Sequence, residues 1–298
     1  METVKICRFL IVIFLVLTVF FAVMYFNELN NKTYVSKEFV ESAVENLNSQ
    51  GIELSADIIE TKIPDEDIYV LSIDDINVHN SKLIDAIVSS VYDFDVVKSV
   101  FDVPEGSSVG IYSADDSKRE LARVFFSAND MSFNFTKNGV NISGSDYPVM
   151  NELDDGINEE KKSIMTAILK KVVSGNGIDY RFSGCTGSED LVIISAIQTI
   201  NGYDINNIFM NFIFDGEELV AVTGNWFYGN QKAKYHEKLV DGVNVLYMLD
   251  VKNVKAIHSE RIIYTLRKTD NTYFLIPGWL ISYTDTEGNH KSSYFDAL

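Results

Sequence analysis

Residues Phe9 to Phe26 read FLIVIFLVLTVFFAVMYF, eighteen positions without a charge in which Thr18 is the only clearly polar side chain. Coiled as an α-helix, such a run reaches ~27 Å, close to the thickness of one hydrocarbon core. In lipid every peptide group needs a partner within the segment, which a helix provides, and Thr18 can donate back to a carbonyl of the preceding turn. One spanning helix is the expectation. Lys5 and Arg8 lie on its N-terminal side, whereas Asn27 to Asn31 carries only Glu28 as a charge, so the basic residues keep the N-terminus cytoplasmic. A cleaved signal peptide has a shorter apolar core followed by small residues, and Met24, Tyr25, Phe26 and Asn27 offer no such cleavage site. The expected location is therefore the cell membrane, in a single pass, with a tail over 1–8 inside and the body outside. So short a tail cannot fold, and any message across the bilayer travels through the helix. Its candidate contact residues are Phe9, Val12, Ile13, Val16, Leu17, Thr18, Phe20, Val23 and Phe26; without a GxxxG pair they would associate by knob packing.

The other 272 residues have an ordinary globular composition, so neither disorder nor a polytopic membrane protein is expected. Asp and Glu number 43 against 25 Lys and Arg, a formal charge of −18. A body this acidic repels phosphate backbones, which argues against a nucleic-acid partner. Cys185 is the only cysteine beyond Cys7, so no disulfide can form within the exported part and its stability comes from packing. Cys185 itself reads as a small, partly buried residue.

Periodicity divides the body into two α+β subdomains of mostly antiparallel sheet, 32–149 and 150–298, with the boundary near Met150 in a stretch rich in Gly, Pro and acids. In the first, Ser36 caps a helix with Phe39, Val40, Ala43, Val44 and Leu47 on one face and Gly51 at its end. A second helix is expected over 81–91, and strands over 68–73, 109–112 and 121–126; Met131, Phe133 and Phe135 alternate as on a half-buried strand. In the second subdomain Asn158 caps a helix with Ile164, Ile168, Leu169 and Val172 as its core stripe. Strands over 208–214 and 219–227 flank Asp215-Gly216, a strong hairpin signal. A short helix is expected at 241–250, then strands at 262–266, 273–284 and 292–295. Pro277 lacks a ladder donor and places its strand at an edge or a bulge. A helix followed by strands in each half suggests two similar subdomains.

The histidines, His79, His236, His258 and His290, show no HExxH or other close spacing, so a zinc site would need distant residues and solvated histidines are expected. There is no GxSxG, no phosphate-binding glycine loop and no EF-hand pattern among the carboxylate clusters. No catalytic, metal or cofactor residue is singled out, and the chain is read as a non-enzyme without a cofactor. Trp226, Phe227, Tyr228, Trp279, Tyr283, Tyr294 and Phe295 crowd the second half, mostly as core or sheet-face residues.

Two stretches carry a family resemblance: SAIQTINGYDINNIFMNFIFDGEELVAVTGNWFY from Ser195 to Tyr228, and IPGWLISYTDTEGNHKSSYFDA from Ile276 to Ala297. With the single anchor, they resemble the YycH/YycI-type regulatory proteins of Gram-positive bacteria, most of all YycI. The likeness covers the anchor and residues 158–298, and residues 32–150 in general layout. It implies an extracytoplasmic regulator, not an enzyme, of the cell-wall two-component system built on the sensor histidine kinase WalK (YycG). Regulation would run through transmembrane contacts, with a YycH-like partner. The alternative expectation is an anchored cell-surface binding module or hydrolase acting on cell-wall polymer, for which the helix is only a tether.

Overall fold

The computed structural model describes residues 14–15, 17–24, 34–62, 65–72, 83–92, 107–113, 119–127, 131–140, 151–152, 159–173, 178–187, 191–226, 232–270 and 272–296. The fold is α+β, rich in mostly antiparallel sheet with few helices. Two compact units divide the chain: Met1–Asp67 with His236–Ile262 and Pro277–Leu298, and Ile68–Tyr235 with Ile263–Ile276. The sequence expectation was two consecutive subdomains, 32–149 and 150–298, whereas the units interleave stretches far apart in the chain. The physical reason is strand pairing at long range, which a pattern read along the chain does not register. The Gly-, Pro- and acid-rich stretch around the expected boundary near Met150 lies mostly outside the described residues, as does the Asn158 cap.

In the first unit, helix α2 (Lys37–Ser49) follows an N-terminal helical stretch, α1, over 14–15 and 17–24. Ser36 Oγ accepts the Phe39 N–H at 3.3 Å, the expected cap. Val40, Ala43 and Leu47 are buried, but Phe39 is exposed, because it stands one position ahead of the stripe that Val40 begins. At the other end Gly51 takes φ +87°, and the N–H groups of Gly51 and Ile52 bond to the carbonyls of Asn48 and Leu47, a Schellman closure. Ile52 then joins Leu47 in a core with Val243, Val245, Leu246, Trp279 and Ile281. Helix α5 (Gly242–Leu246) is shorter than expected; Asp241 caps it by accepting the Asn244 N–H. Strands β11 (Val254–Thr269), β12 (Thr272–Asp285) and β13 (His290–Asp296) reach into this unit, and β12 pairs with β13 from Gly278↔Asp296 to Thr284↔His290.

The second unit is a continuous antiparallel path, β5 (Asn151–Glu152), β6 (Ile178–Gly187), β7 (Leu191–Ile200), β8 (Tyr203–Asp215), β9 (Glu218–Asn225), β4 (Ser132–Lys137), β3 (Glu120–Phe126) and β2 (Ser107–Tyr112). The Asp215-Gly216 hairpin forms as the sequence predicts, with Gly216 at φ +58°. Strand β8 serves two neighbours along one edge. Ile205 and Asn206 pair in parallel with Tyr264 and Thr265 of β11, and from Met210 onward the strand pairs with β9. Asn207, at φ +60°, sits where the change occurs. Helix α3 (83–91) buries Leu83, Ile84, Ala86 and Ile87, and helix α4 (Glu159–Val172) buries Met165, Ile168, Leu169 and Val172. Met165 takes a core place that the sequence reading gave to Ile164, which is only partly buried.

Pro277 meets its ladder problem differently from the expectation. Strand β12 pairs with β1 (Asp65–Ser72) from Thr272 to Leu275 and with β13 from Gly278 onward, so Pro277 falls between the two pairings.

Candidate functional site

Among the candidate contact residues, Phe9, Val12, Ile13, Val16 and Phe26 lie outside the described residues, as does the tail over 1–8. Leu17, Thr18, Phe20 and Val23 are helical and stand in α1. The Thr18 hydroxyl donates to the Phe14 carbonyl at 2.8 Å, the local bond expected of a lone hydroxyl in an apolar helix. The Phe20 and Phe21 rings meet edge to face, 5.9 Å between centroids. Phe14, Leu15, Leu17, Val19, Phe20, Phe21, Val23 and Met24 are all exposed. At 100° per residue these positions leave one gap, between Phe14 and Leu15, which Ala22 and Thr18 fill, so no charged face exists to point at water. Each such side chain forgoes ~1.5–3 kcal/mol when it stays in water instead of being buried. Among the described residues no helix is long and apolar enough to cross a membrane.

A second grouping escaped the sequence reading. His258 on β11 and His290 on β13 flank Thr284 on β12, with Thr284 and His290 directly opposite in register. His258 Nε2 lies 2.6 Å and His290 Nδ1 3.3 Å from Thr284 Oγ1, and the two imidazole centroids are 5.4 Å apart. Two residues along the same face, the Ser282 and Ser292 hydroxyls meet at 3.1 Å. Both histidines are exposed, in keeping with the solvated reading, but they are neighbours, which a spacing of thirty-odd residues conceals. His79 lies outside the described residues. Among the described residues no group of three or more His, Cys, Asp or Glu side chains could hold a metal ion. Cys185 is buried.

The turn beyond this face is held by Asp285. Its carboxylate accepts the N–H groups of Glu287 at 2.9 Å and Asn289 at 2.8 Å, with Lys291 Nζ at 2.7 Å. The Lys291 ammonium first, then the Asn289 N–H, hold the Asp285 carboxyl far below the usual carboxylate range. Trp226 and Trp279, grouped with the aromatics by sequence, are core residues, and the Trp279 indole N–H donates to the Val240 carbonyl at 2.8 Å. Phe227 and Tyr228 lie outside the described residues.

No family model matches the chain. No curated protein matches it either. Among solved structures the chain is similar to an uncharacterized protein from Eubacterium rectale, at 9% identity over 83% of this chain and 87% of that one, with a TM-score of 0.46. It is also similar to the YpeB C-terminal domain of Bacillus megaterium, at 11% identity over 72% and 91%, with a TM-score of 0.35. Neither likeness carries an argument about activity, ligand or partner, and the resemblance to YycI stands on the quoted residues alone.

Proposed function

We propose that this chain is a membrane-anchored extracytoplasmic regulator of a cell-wall-related sensor histidine kinase. It would act by protein contact outside the membrane and by helix contact within it, as the resemblance to YycI implies. The observation that carries the reading is the helix over 14–15 and 17–24, uncharged and exposed, with Thr18 its only polar side chain among the described residues, inside an uncharged run of eighteen residues. In water that surface is uncovered, whereas lipid or neighbouring helices would cover it. A helix packed beside a kinase's helices biases the kinase only if its contacts differ between the signalling states. A WalK-like kinase and a YycH-like protein are the proposed partners.

The test is to replace Phe9 to Phe26 by an unrelated spanning helix of equal length and to measure phosphorylation of the cognate response regulator. Regulation should be lost while the body is still exported. Unchanged phosphorylation with the replacement helix would overturn helix contact as the mechanism. Activity of an anchor-free body on isolated wall polymer would favour the tethered wall-binding alternative instead.

A further inference from the structure

Glu260 is a buried acid in the first unit. It projects from β11 into the interior with 7% of its surface exposed. One carboxyl oxygen, Oε2, accepts the Glu60 N–H at 3.2 Å. The other, Oε1, is buried with no hydrogen-bond partner among the described residues. The carboxyl is pressed against the start of α5 so closely that a Cβ on Gly242 would stand 2.5 Å from Oε2 and 2.8 Å from Oε1. The charged groups acting on it from the surrounding elements are both acidic: Glu60, on the segment after the 3₁₀ turn Ala56–Ile58, and Asp241, the cap of α5.

A buried carboxylate with one bare oxygen and two acidic neighbours is strongly disfavoured, whereas a carboxylic acid in the same place is tolerable. We propose that Glu260 is a proton switch, neutral when the wedge between the Glu60 segment and the first turn of α5 is closed and forced to loosen that wedge when it ionises. Burial first, then the charges of Glu60 and Asp241 against the opposing pull of the Glu60 N–H, pushes the carboxyl up to about 7. The sign follows from linkage. The folded chain holds this proton to a higher pH than the unfolded chain does, so the closed arrangement is undisturbed below the ordinary glutamate range. It is progressively weakened as pH rises through about 7. The inference is independent of the proposed anchoring. If the body does lie outside the cell, the switch would read external pH.

The unit contains its own reporter. Trp279 donates its indole N–H to Val240, the residue before the Asp241 cap, so movement at the start of α5 disturbs the indole. In the full chain carrying Trp226→Phe, Trp279 is the only tryptophan. Its emission should shift to longer wavelength between pH 5 and pH 9 with a midpoint near 7. The transition should be lost in Glu260→Gln and displaced to lower pH in Glu60→Gln and in Asp241→Asn, which keeps a capping oxygen. Should Trp226→Phe not fold, hydrogen exchange at the Glu60 amide in the otherwise unaltered chain reads the same event, with protection falling over the same pH range. An emission and an exchange rate free of any such transition, or the same transition in Glu260→Gln, would overturn the proposal.

Discussion

At the scale of single residues, two glycines separate a yielding contact from an unyielding one. A Cβ at Gly242 meets the end of the Glu260 side chain, which can move at a cost, whereas at Gly224 it meets the Phe209 carbonyl oxygen of the backbone at 2.2 Å, with φ already at +143°. Gly242→Ala is therefore expected to lower stability by about 1–3 kcal/mol, read as a urea midpoint, and to lose most of that effect when combined with Glu260→Ala. Gly224→Ala should cost more, and no side-chain truncation should rescue it. Full additivity of Gly242→Ala with Glu260→Ala would mean that the carboxyl and the glycine do not touch. Asp285 gives the opposite pH signature to Glu260. Because Lys291 and the turn N–H groups depress its folded pKa, its stabilisation is complete above the ordinary Asp range and is lost as pH falls toward the folded value. Asp285→Asn should lower the urea midpoint at pH 7, and the gap from the unaltered chain should close on acidification below pH ~4. A gap independent of pH would leave the turn without an electrostatic contribution. Neither carboxylate is distinguishable by sequence: one is a charged residue just ahead of the expected strand at 262–266, the other one of several acids near a glycine.

Elements whose information is local were legible. Ser36, the spacing Val40, Ala43, Leu47 and the glycine at 51 specify the start, the buried face and the end of α2, and Asp215-Gly216 specifies a hairpin. Phe39 shows where periodicity overreaches: a window that admits it as apolar cannot tell that its direction misses the core. Leu47→Ala should cost about 2–5 kcal/mol through the cavity it leaves, whereas Phe39→Ala should change stability by no more than ~0.5 kcal/mol. Equal costs in chemical denaturation would place Phe39 in the core after all. The pattern predicts a strand over 262–266, whereas β11 runs over Val254–Thr269: consecutive buried Ala256 and Ile257, then polar His258, Ser259, Glu260 and Arg261, break the apolar alternation before Ile262. Its neighbours explain how a strand forms there regardless: Glu53 pairs with Ala256 in parallel, and Tyr264 and Thr265 pair with β8. The same long-range register brings His258 beside His290, so the grouping around Thr284 became visible only with the sheet in hand.

Over the whole molecule, the candidate helix was legible from composition alone and the partition of the body was not. A boundary near Met150 follows from a run of glycine, proline and acids, but pairing distributes the chain otherwise. Strand β4 pairs with β9 from Ser132↔Asn225 to Thr136↔Ala221, inside one unit. The core that α2 enters is completed by Leu239, Val243, Leu246 and Trp279, inside the other. A cut at 150 removes one of the two partners of β4, leaving it β3 alone, and most of the core around α2 at once. The exposed edge of β4 would then offer Phe133 and Phe135 to water or to other chains. Fragments 32–149 and 150–298, produced separately, are therefore expected to lack fixed tertiary structure, with near-UV circular dichroism lost and rapid proteolysis. When mixed, they should regain protection only by associating with each other. A well-dispersed amide spectrum from either fragment alone would restore the consecutive subdomains that the sequence pattern suggests, and would mean that the pairing between β4 and β9 contributes little to either fold.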